Sequence, residues 1–146
     1  MVVHNLTLSL DMNNIVKFFC YASICLSWVV NAYELKECTP IQSNAPAEAR
    51  HFIKCLDSNI ETLERERVIW INKIVMDMEA LELDTGNTQL LPIIRRSLKH
   101  QDNYIEDSCR WRYLHKMPNS TKAAIAYKQC KIRLYQRHVE DLKQSY

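Results

Sequence analysis

Residues 98–134, LKHQDNYIEDSCRWRYLHKMPNSTKAAIAYKQCKIRL, decide the fold, because they predict two helices joined by a short loop. Apolar residues recur at intervals of three or four on both sides of the loop, which is the spacing of one helix face. We place the loop at residues 115–121, where Pro118 interrupts the pattern and Asn119 or Ser120 is positioned to cap the next helix. A short loop between long helices favours antiparallel neighbours, so this stretch predicts a helical hairpin.

The hairpin extends in both directions. Its first helix is predicted over Leu90 to Leu114, with a polar gap at Gln101 and Asp102, and its second helix continues to Lys143. The predicted inner stripe of the first helix consists of Leu91, Ile94, Leu98, Ile105 and Cys109, and that of the second helix of Ala123, Tyr127, Cys130, Leu134 and Leu142.

A long amphipathic segment precedes the hairpin and stops at the only glycine, Gly86. Its apolar positions are Phe52, Leu56, Ile60, Leu63, Ile71, Ile74, Met78 and Leu81. Arg67 interrupts this stripe, and its neighbour Glu66 leads us to expect surface ion pairs there. Asn44 is positioned to cap the segment. The pattern fits one long helix or two helices broken near residues 55–58.

These patterns predict an all-α fold, a small antiparallel helical bundle of three to four helices, in one domain at residues 33–146. The apolar run Phe18–Val30 precedes this domain and has thirteen residues, fewer than the roughly 20 that span a membrane. We interpret residues 1–32 as a signal peptide that is cleaved after Ala32. Met12 is an alternative start of the chain, and a retained membrane anchor is the alternative to cleavage.

Four cysteines remain after the predicted cleavage: Cys38, Cys55, Cys109 and Cys130. An even number in a small exported chain predicts two disulfides, for which three pairings are possible. Zinc is the competing interpretation, but it favours a close cysteine pair that this chain lacks. In the predicted hairpin, Cys109 and Cys130 lie at heights that differ by a few ångströms, so they are feasible partners. The predicted pairs are therefore Cys109–Cys130 and Cys38–Cys55.

Composition narrows the classes of function. The formal net charge is +2, from 19 basic and 17 acidic residues, which argues against a dedicated nucleic-acid binder. The histidines and serines match none of the common catalytic motifs, so we expect a non-enzymatic protein without a cofactor or a metal. Candidate contacts to a protein partner are Arg110, Trp111, Arg112, His115, Lys116 and Asn119. For Trp111 and Tyr113 we favour a structural role over partner contact: both cover the core beside Cys109, while the neighbouring arginines pair with acidic residues. The polar loop at 84–89 is a second candidate contact.

A set of cysteine, aromatic, polar and leucine positions spreads over most of residues 38–142 and consists of Cys38, Gln42, Cys55, Asp57, Leu63, Leu91, Ser97, Tyr104, Asp107, Ser108, Cys109, Cys130, Leu134, Arg137 and Leu142. The arrangement of this set resembles the lysozyme inhibitor LprI-like family, which consists of small exported bacterial proteins. In the closing part, Cys130, Leu134 and Leu142 fit the pattern C-x-x-x-L-x-x-x-R-x-x-x-L of the family, whereas Arg137 lies one position before the arginine of the pattern, where this chain has His138. In the central part, Tyr104 and Asp107 agree, whereas Glu106 replaces an arginine and the tryptophan of the family is absent.

The resemblance implies a periplasmic or secreted domain that inhibits lysozyme, or binds a related peptidoglycan hydrolase, without catalysis of its own. Another role open to such a domain is that of an immunity or interaction protein for a different partner, such as a delivered toxin. A carrier of small ligands is a third possibility, for which we expect a large internal apolar cavity.

Overall fold

The computed structural model describes residues 34–42 and 45–144, and the regular elements of these residues are all α-helices. Helix α1 spans Pro46–Thr85, α2 spans Leu90–His115 and α3 spans Ser120–Gln144. The prediction of an all-α bundle is therefore confirmed, with three helices. The predicted signal peptide at 1–32, the alternative start at Met12 and the predicted cap at Asn44 lie outside the described residues.

Helix α1 runs without a break for 40 residues, so the segment forms one long helix. It begins with Pro46, whose fixed φ suits a first helical turn, after an extended Ala45 with φ −68° and ψ 125°. It ends where Gly86 adopts a left-handed φ of 72° and donates its N–H to the carbonyl oxygen of Glu82 at 2.8 Å. At about 1.5 Å per residue, α1 is roughly 60 Å long and exceeds the other two helices.

The hairpin of α2 and α3 has the predicted short loop. The side-chain oxygen Oδ1 of Asn119 accepts a hydrogen bond from the backbone N–H of Lys122 at 2.9 Å, so Asn119 rather than Ser120 caps α3. On the other side of the loop, the backbone N–H of Lys116 reaches the carbonyl oxygen of Tyr113 at 3.0 Å. Both ends of the loop are therefore fixed by hydrogen bonds.

Both predicted disulfides are present. Cys109 and Cys130 join the two helices of the hairpin with their Cα atoms 5.5 Å apart. Cys38 and Cys55 attach the non-helical residues 34–42, which we call the lead-in, to α1 with 5.8 Å between Cα atoms. The lead-in is also held by the buried Asn59, which bonds to both the N–H and the carbonyl of Lys36, at 2.8 and 2.9 Å. An amide with both its donor and its acceptor satisfied is compatible with burial.

The core forms where the three helices meet. Its central cluster consists of Leu63, Ile105, Cys109, Cys130, Leu134 and Tyr135. Most of the predicted stripe residues of α1 and α3 are buried or partly buried. The exception is Leu81 near the end of α1, which is exposed, and Leu91, Ile94 and Leu98 at the start of α2 are only partly buried. Helix α3 buries more than its predicted stripe, since Tyr135, His138 and Val139 are also inside. The core therefore centres on α3 and thins toward the loop between α1 and α2.

The polar interruptions of the two predicted stripes meet between α1 and α2. Arg67 of α1 is buried, its Nη1 pairs with a carboxylate oxygen of Asp102 in α2, and its guanidinium carbon lies 4.9 Å from the centre of the Tyr135 ring. The prediction of a surface ion pair between Arg67 and Glu66 is therefore wrong. Glu66 instead accepts hydrogen bonds from the indole N–H of Trp70 at 3.1 Å and from Nζ of Lys143 at 2.9 Å.

The contacts of Glu66 fasten the end of α3 to α1. Partial burial acts to raise the pKa of Glu66, but the hydrogen bonds from Lys143 and Trp70 outweigh it and hold that pKa below its ordinary value.

Within the residues that the structure describes, no helix is both long and apolar enough to cross a membrane.

Candidate protein-binding surface

The end of α2 and the loop after it form an exposed surface that combines apolar and basic side chains. We call it the hairpin-end surface, and it consists of Arg110, Trp111, Leu114, His115, Lys116 and Met117. Trp111 is 55% exposed, and Leu114 and Met117 are exposed to a similar degree. The Cys109–Cys130 disulfide lies directly before this surface and ties it to α3. The surface is therefore held in place before any partner arrives.

Arg112 positions the indole of Trp111. Its guanidinium carbon lies 4.3 Å from the centre of the Trp111 ring, and its Nη1 donates a hydrogen bond to the carbonyl oxygen of Ser108. An arginine that is fixed by a backbone carbonyl and stacked on an indole restricts the rotamers of both side chains. Of the predicted contact residues, Arg112 is thus a positioning residue, and Trp111 is the side chain that it presents.

The other predicted contact residues divide into two groups. Arg110, His115 and Lys116 are exposed and free to face a partner, with His115 one turn beyond Trp111 on the same helix. Asn119 has a structural role instead, because its side-chain oxygen accepts the hydrogen bond that caps α3. The favoured structural role is wrong for Trp111, whose exposure shows that it does not cover the core, whereas Tyr113 is partly buried.

The polar side chains of the loop at 84–89 serve the loop itself. Thr85 donates its hydroxyl to the carbonyl oxygen of Leu81 at 2.7 Å and accepts from the N–H of Asn87 at 3.3 Å. Asn87 in turn accepts from the N–H of Gln89 at 3.2 Å. Because these groups already have partners in the loop, the hairpin-end surface is the better candidate for partner contact.

Sequence reasoning missed Leu114 and Met117, which are part of the hairpin-end surface. The signal was present, because Leu114 lies five residues after Cys109 and therefore well away from the inner stripe of α2. An apolar residue on the polar side of an amphipathic helix is a candidate for contact with another molecule. Met117 lies in the loop and has no periodicity from which exposure can be judged.

Charge is segregated along the chain. Residues 34–85 contain eleven acidic and six basic residues, whereas residues 90–144 contain five acidic and twelve basic residues. The small net charge of the whole chain therefore hides an acidic α1 and a basic hairpin. The hairpin-end surface belongs to the basic part, so it favours an acidic patch on a partner.

The hairpin is also joined by a polar contact near the disulfide. Tyr127 of α3 donates its hydroxyl to a carboxylate oxygen of Glu106 in α2 at 2.8 Å. Partial burial, together with this hydrogen bond and the charge of Glu106, raises the pKa of Tyr127 to about 12. Tyr127 stays protonated near neutral pH and keeps its donor role.

A cleft of about 390 Å³ opens where α3 ends between α1 and α2. Apolar side chains such as Ile74, Ile94 and Leu142 line it, and His138 is its buried polar member. Nδ1 of His138 has no hydrogen-bond partner among residues 34–42 and 45–144. Burial is the main cause that lowers the pKa of His138 below 6.5, and the nearby Arg67 guanidinium lowers it further. The carboxylates of Asp102 and Asp141 act in the opposite direction and raise it. The cleft is open to solvent, unlike the internal cavity expected of a small-ligand carrier.

The described residues contain no group of three or more His, Cys, Asp or Glu side chains arranged to hold a metal ion. No family model matches the sequence, and neither a curated protein nor a solved structure is significantly similar to the chain.

Proposed function

We propose that this chain is an exported, non-enzymatic binding protein whose hairpin-end surface docks on lysozyme or a related peptidoglycan hydrolase in the cell envelope. The observation that carries the proposal is the exposed Trp111, which Arg112 holds by stacking beside the Cys109–Cys130 disulfide. Disulfides are typical of proteins that function in oxidising compartments, which supports export.

The side chains of the hairpin-end surface are of the kind that contribute most to protein interfaces. Tryptophan and arginine are enriched among the residues whose truncation weakens binding most. Exposed Leu114 and Met117 add apolar area around Trp111. Because the disulfide and the Asn119 cap fix the surface, little conformational freedom is lost when a partner binds.

The choice of a hydrolase rests on charge and on the resemblance to the LprI-like family. Glycoside hydrolases such as lysozyme carry a pair of carboxyl groups in an open cleft. Arg110 and Lys116 are exposed donors on either side of Trp111, and such cations complement carboxylates. The acidic residues of α1 reduce the long-range repulsion between this chain and a basic hydrolase.

A lysis assay tests the proposal. The purified protein is added at near-stoichiometric ratios to a panel of lysozymes and peptidoglycan hydrolases acting on a cell-wall suspension. We expect it to slow lysis by at least one of them. Inhibition should fall at least tenfold with Trp111→Ala and stay unchanged with Tyr104→Ala, since Tyr104 is 56% exposed on the same helix but lies outside the hairpin-end surface.

The absence of inhibition across the panel would remove the hydrolase from the proposal. Capture of a single toxin from a rival organism, with protection against that toxin alone, would favour the immunity role instead. Export has its own test, because the intact mass of secreted protein should correspond to a chain that begins at Tyr33 and contains two disulfides.

A further inference from the structure

The cleft at the end of α3 has a polar end and an apolar end. We call it the terminal cleft, and its volume of about 390 Å³ lies within the range of small-molecule sites, roughly 300–1,000 Å³. Its inner end, beside the ion pair that joins α1 and α2, is formed by Gln101 and His138. Its outer end, toward the loop between α1 and α2, is lined by Met78 and Ile94. From Gln101 to Ile94 the cleft follows about 10 Å of α2, so it suits an elongated ligand with a polar group at one end.

The walls of the terminal cleft are apolar because α1 and α2 extend beyond the end of α3. Helix α1 continues for eleven residues beyond Ile74, whereas the described part of α3 continues for only two beyond Leu142. The inner stripes of α1 and α2 therefore face a space that no further helix of the described residues fills. A ligand with an apolar body that covers these walls removes apolar surface from water. The apolar side chains that line the cleft are Ile74, Met78, Ile94, Leu98 and Leu142.

His138 gives the inner end of the terminal cleft an unpaired hydrogen-bonding group. The residue is only 5% exposed, and its Nδ1 finds no partner in the part of the chain that the structure describes. A buried polar atom without a partner is unfavourable, so a ligand group that pairs with it is favoured. Rotation about χ2 of histidine is broad and roughly two-fold, so the ring can turn its unpaired edge toward the cleft. This observation is independent of the apolar walls, and it also points to a ligand.

The surroundings of His138 favour an uncharged polar group on the ligand. Arg67 of α1 and Asp102 of α2 are paired with each other, and Asp141 of α3 lines the cleft and repels an anionic head group. A cationic head group would lose its hydration beside the guanidinium of Arg67. Burial lowers the pKa of His138, so the imidazole is uncharged near neutral pH. An uncharged imidazole has one donor and one acceptor nitrogen, and a hydroxyl group can pair with either of them.

We propose that the terminal cleft binds an uncharged aliphatic alcohol, such as a medium-chain fatty alcohol or the glycerol ester of a medium-chain fatty acid. The hydroxyl group of the ligand bonds to His138, and its aliphatic chain lies along the apolar walls toward Met78 and Ile94. The site is independent of the hairpin-end surface, which lies at the opposite end of α2. Because the terminal cleft is open to solvent, the ligand stays partly exposed, and its binding is weaker than in an enclosed cavity.

An NMR titration of the full mature chain, with its disulfides intact, tests the proposal. The probes are octanol, octanoate and octylamine, which have the same aliphatic chain and differ in the charge of the head group. We expect octanol to shift the methyl signals of Ile94 and Leu142 and the ring-nitrogen signals of His138 until they saturate. Octanoate and octylamine should each bind at least tenfold more weakly than octanol.

Three variants locate the bound alcohol. Ser97 lies at the exposed edge of the terminal cleft, so Ser97→Phe should fill part of the cleft and weaken octanol binding at least tenfold. Asn103→Phe is the matched control, because Asn103 is exposed on the same helix outside the cleft, and it should not change the affinity. His138→Leu should weaken octanol binding at least fivefold through loss of the hydrogen bond.

Circular dichroism confirms that each variant is folded, and the two phenylalanine substitutions lie on the surface. Shifts that do not saturate with octanol, or octanoate or octylamine binding as tightly as octanol, would overturn the proposal. Equal effects of Ser97→Phe and Asn103→Phe would place the alcohol elsewhere, and full octanol affinity in His138→Leu would remove the hydrogen bond on which the choice of an alcohol depends. Either of these results would overturn the proposal as well.

Discussion

Substitutions at Arg67 and at Asp102 distinguish the loss of their ion pair from the cost of leaving a buried guanidinium without its carboxylate. Asp102→Ala removes the carboxylate and leaves the guanidinium inside the bundle. Arg67→Met removes the charge and keeps an unbranched side chain of similar length. We expect Asp102→Ala to be clearly less stable than Arg67→Met, although both variants lose the same ion pair.

The structure gives the size of the difference. The side chain of Arg67 is 10% exposed and that of Asp102 is 53% exposed, so water screens the pair from one side only. Breaking a fully buried pair costs about 3–5 kcal/mol, and we expect about 1–3 kcal/mol for Asp102→Ala after this screening. Arg67→Met loses a contact with Tyr135 of about 1 kcal/mol, but it also removes Nε, a buried donor that has no partner in the described part of the chain. Its stability should remain within about 1 kcal/mol of the wild type.

Urea unfolding at pH 7, followed by circular dichroism with the disulfides intact, measures both free energies of unfolding. Asp107→Ala is the matched control, since Asp107 is an exposed carboxylate of α2 that forms no ion pair within the described part of the chain. It should change the free energy by less than about 0.5 kcal/mol. If Arg67→Met proves less stable than Asp102→Ala, the attribution of the cost to an unpaired buried charge is refuted.

Three further predictions concern other parts of the bundle. Burial holds the pKa of His138 below 6.5 in the folded chain, so the unfolded chain binds a proton at this histidine at a higher pH than the folded chain does. The free energy of unfolding should therefore fall as the pH drops below about 6.5, and His138→Leu should reduce this pH dependence in urea titrations. Replacing Cys109 and Cys130 by alanine opens a loop with a sequence separation of 21 and should cost about 3 kcal/mol, which a shifted urea midpoint would show. Asn119→Ala should cost about 1 kcal/mol through loss of the α3 cap, measured by thermal unfolding.

The sequence predicts the helices and the disulfides well because these depend on local signals. Gly86 ends α1 through a left-handed φ that glycine adopts without strain. The pairing of Cys109 with Cys130 follows from their heights in a hairpin whose loop is short, and their Cα separation of 5.5 Å agrees with that estimate. The length of α1 does not follow from the sequence, because the same apolar spacing fits one long helix or two helices broken near residues 55–58.

The polar interior was not predicted, since it depends on pairs that are far apart in sequence. Arg67 and Asp102 each appear as a defect in an apolar stripe, and neither defect says that the other lies opposite to it. Burial of Asn59 likewise requires the backbone of Lys36, which the Cys38–Cys55 disulfide brings close. Two interruptions at matching heights in neighbouring helices are thus a signal for a buried ion pair that a single stripe does not give.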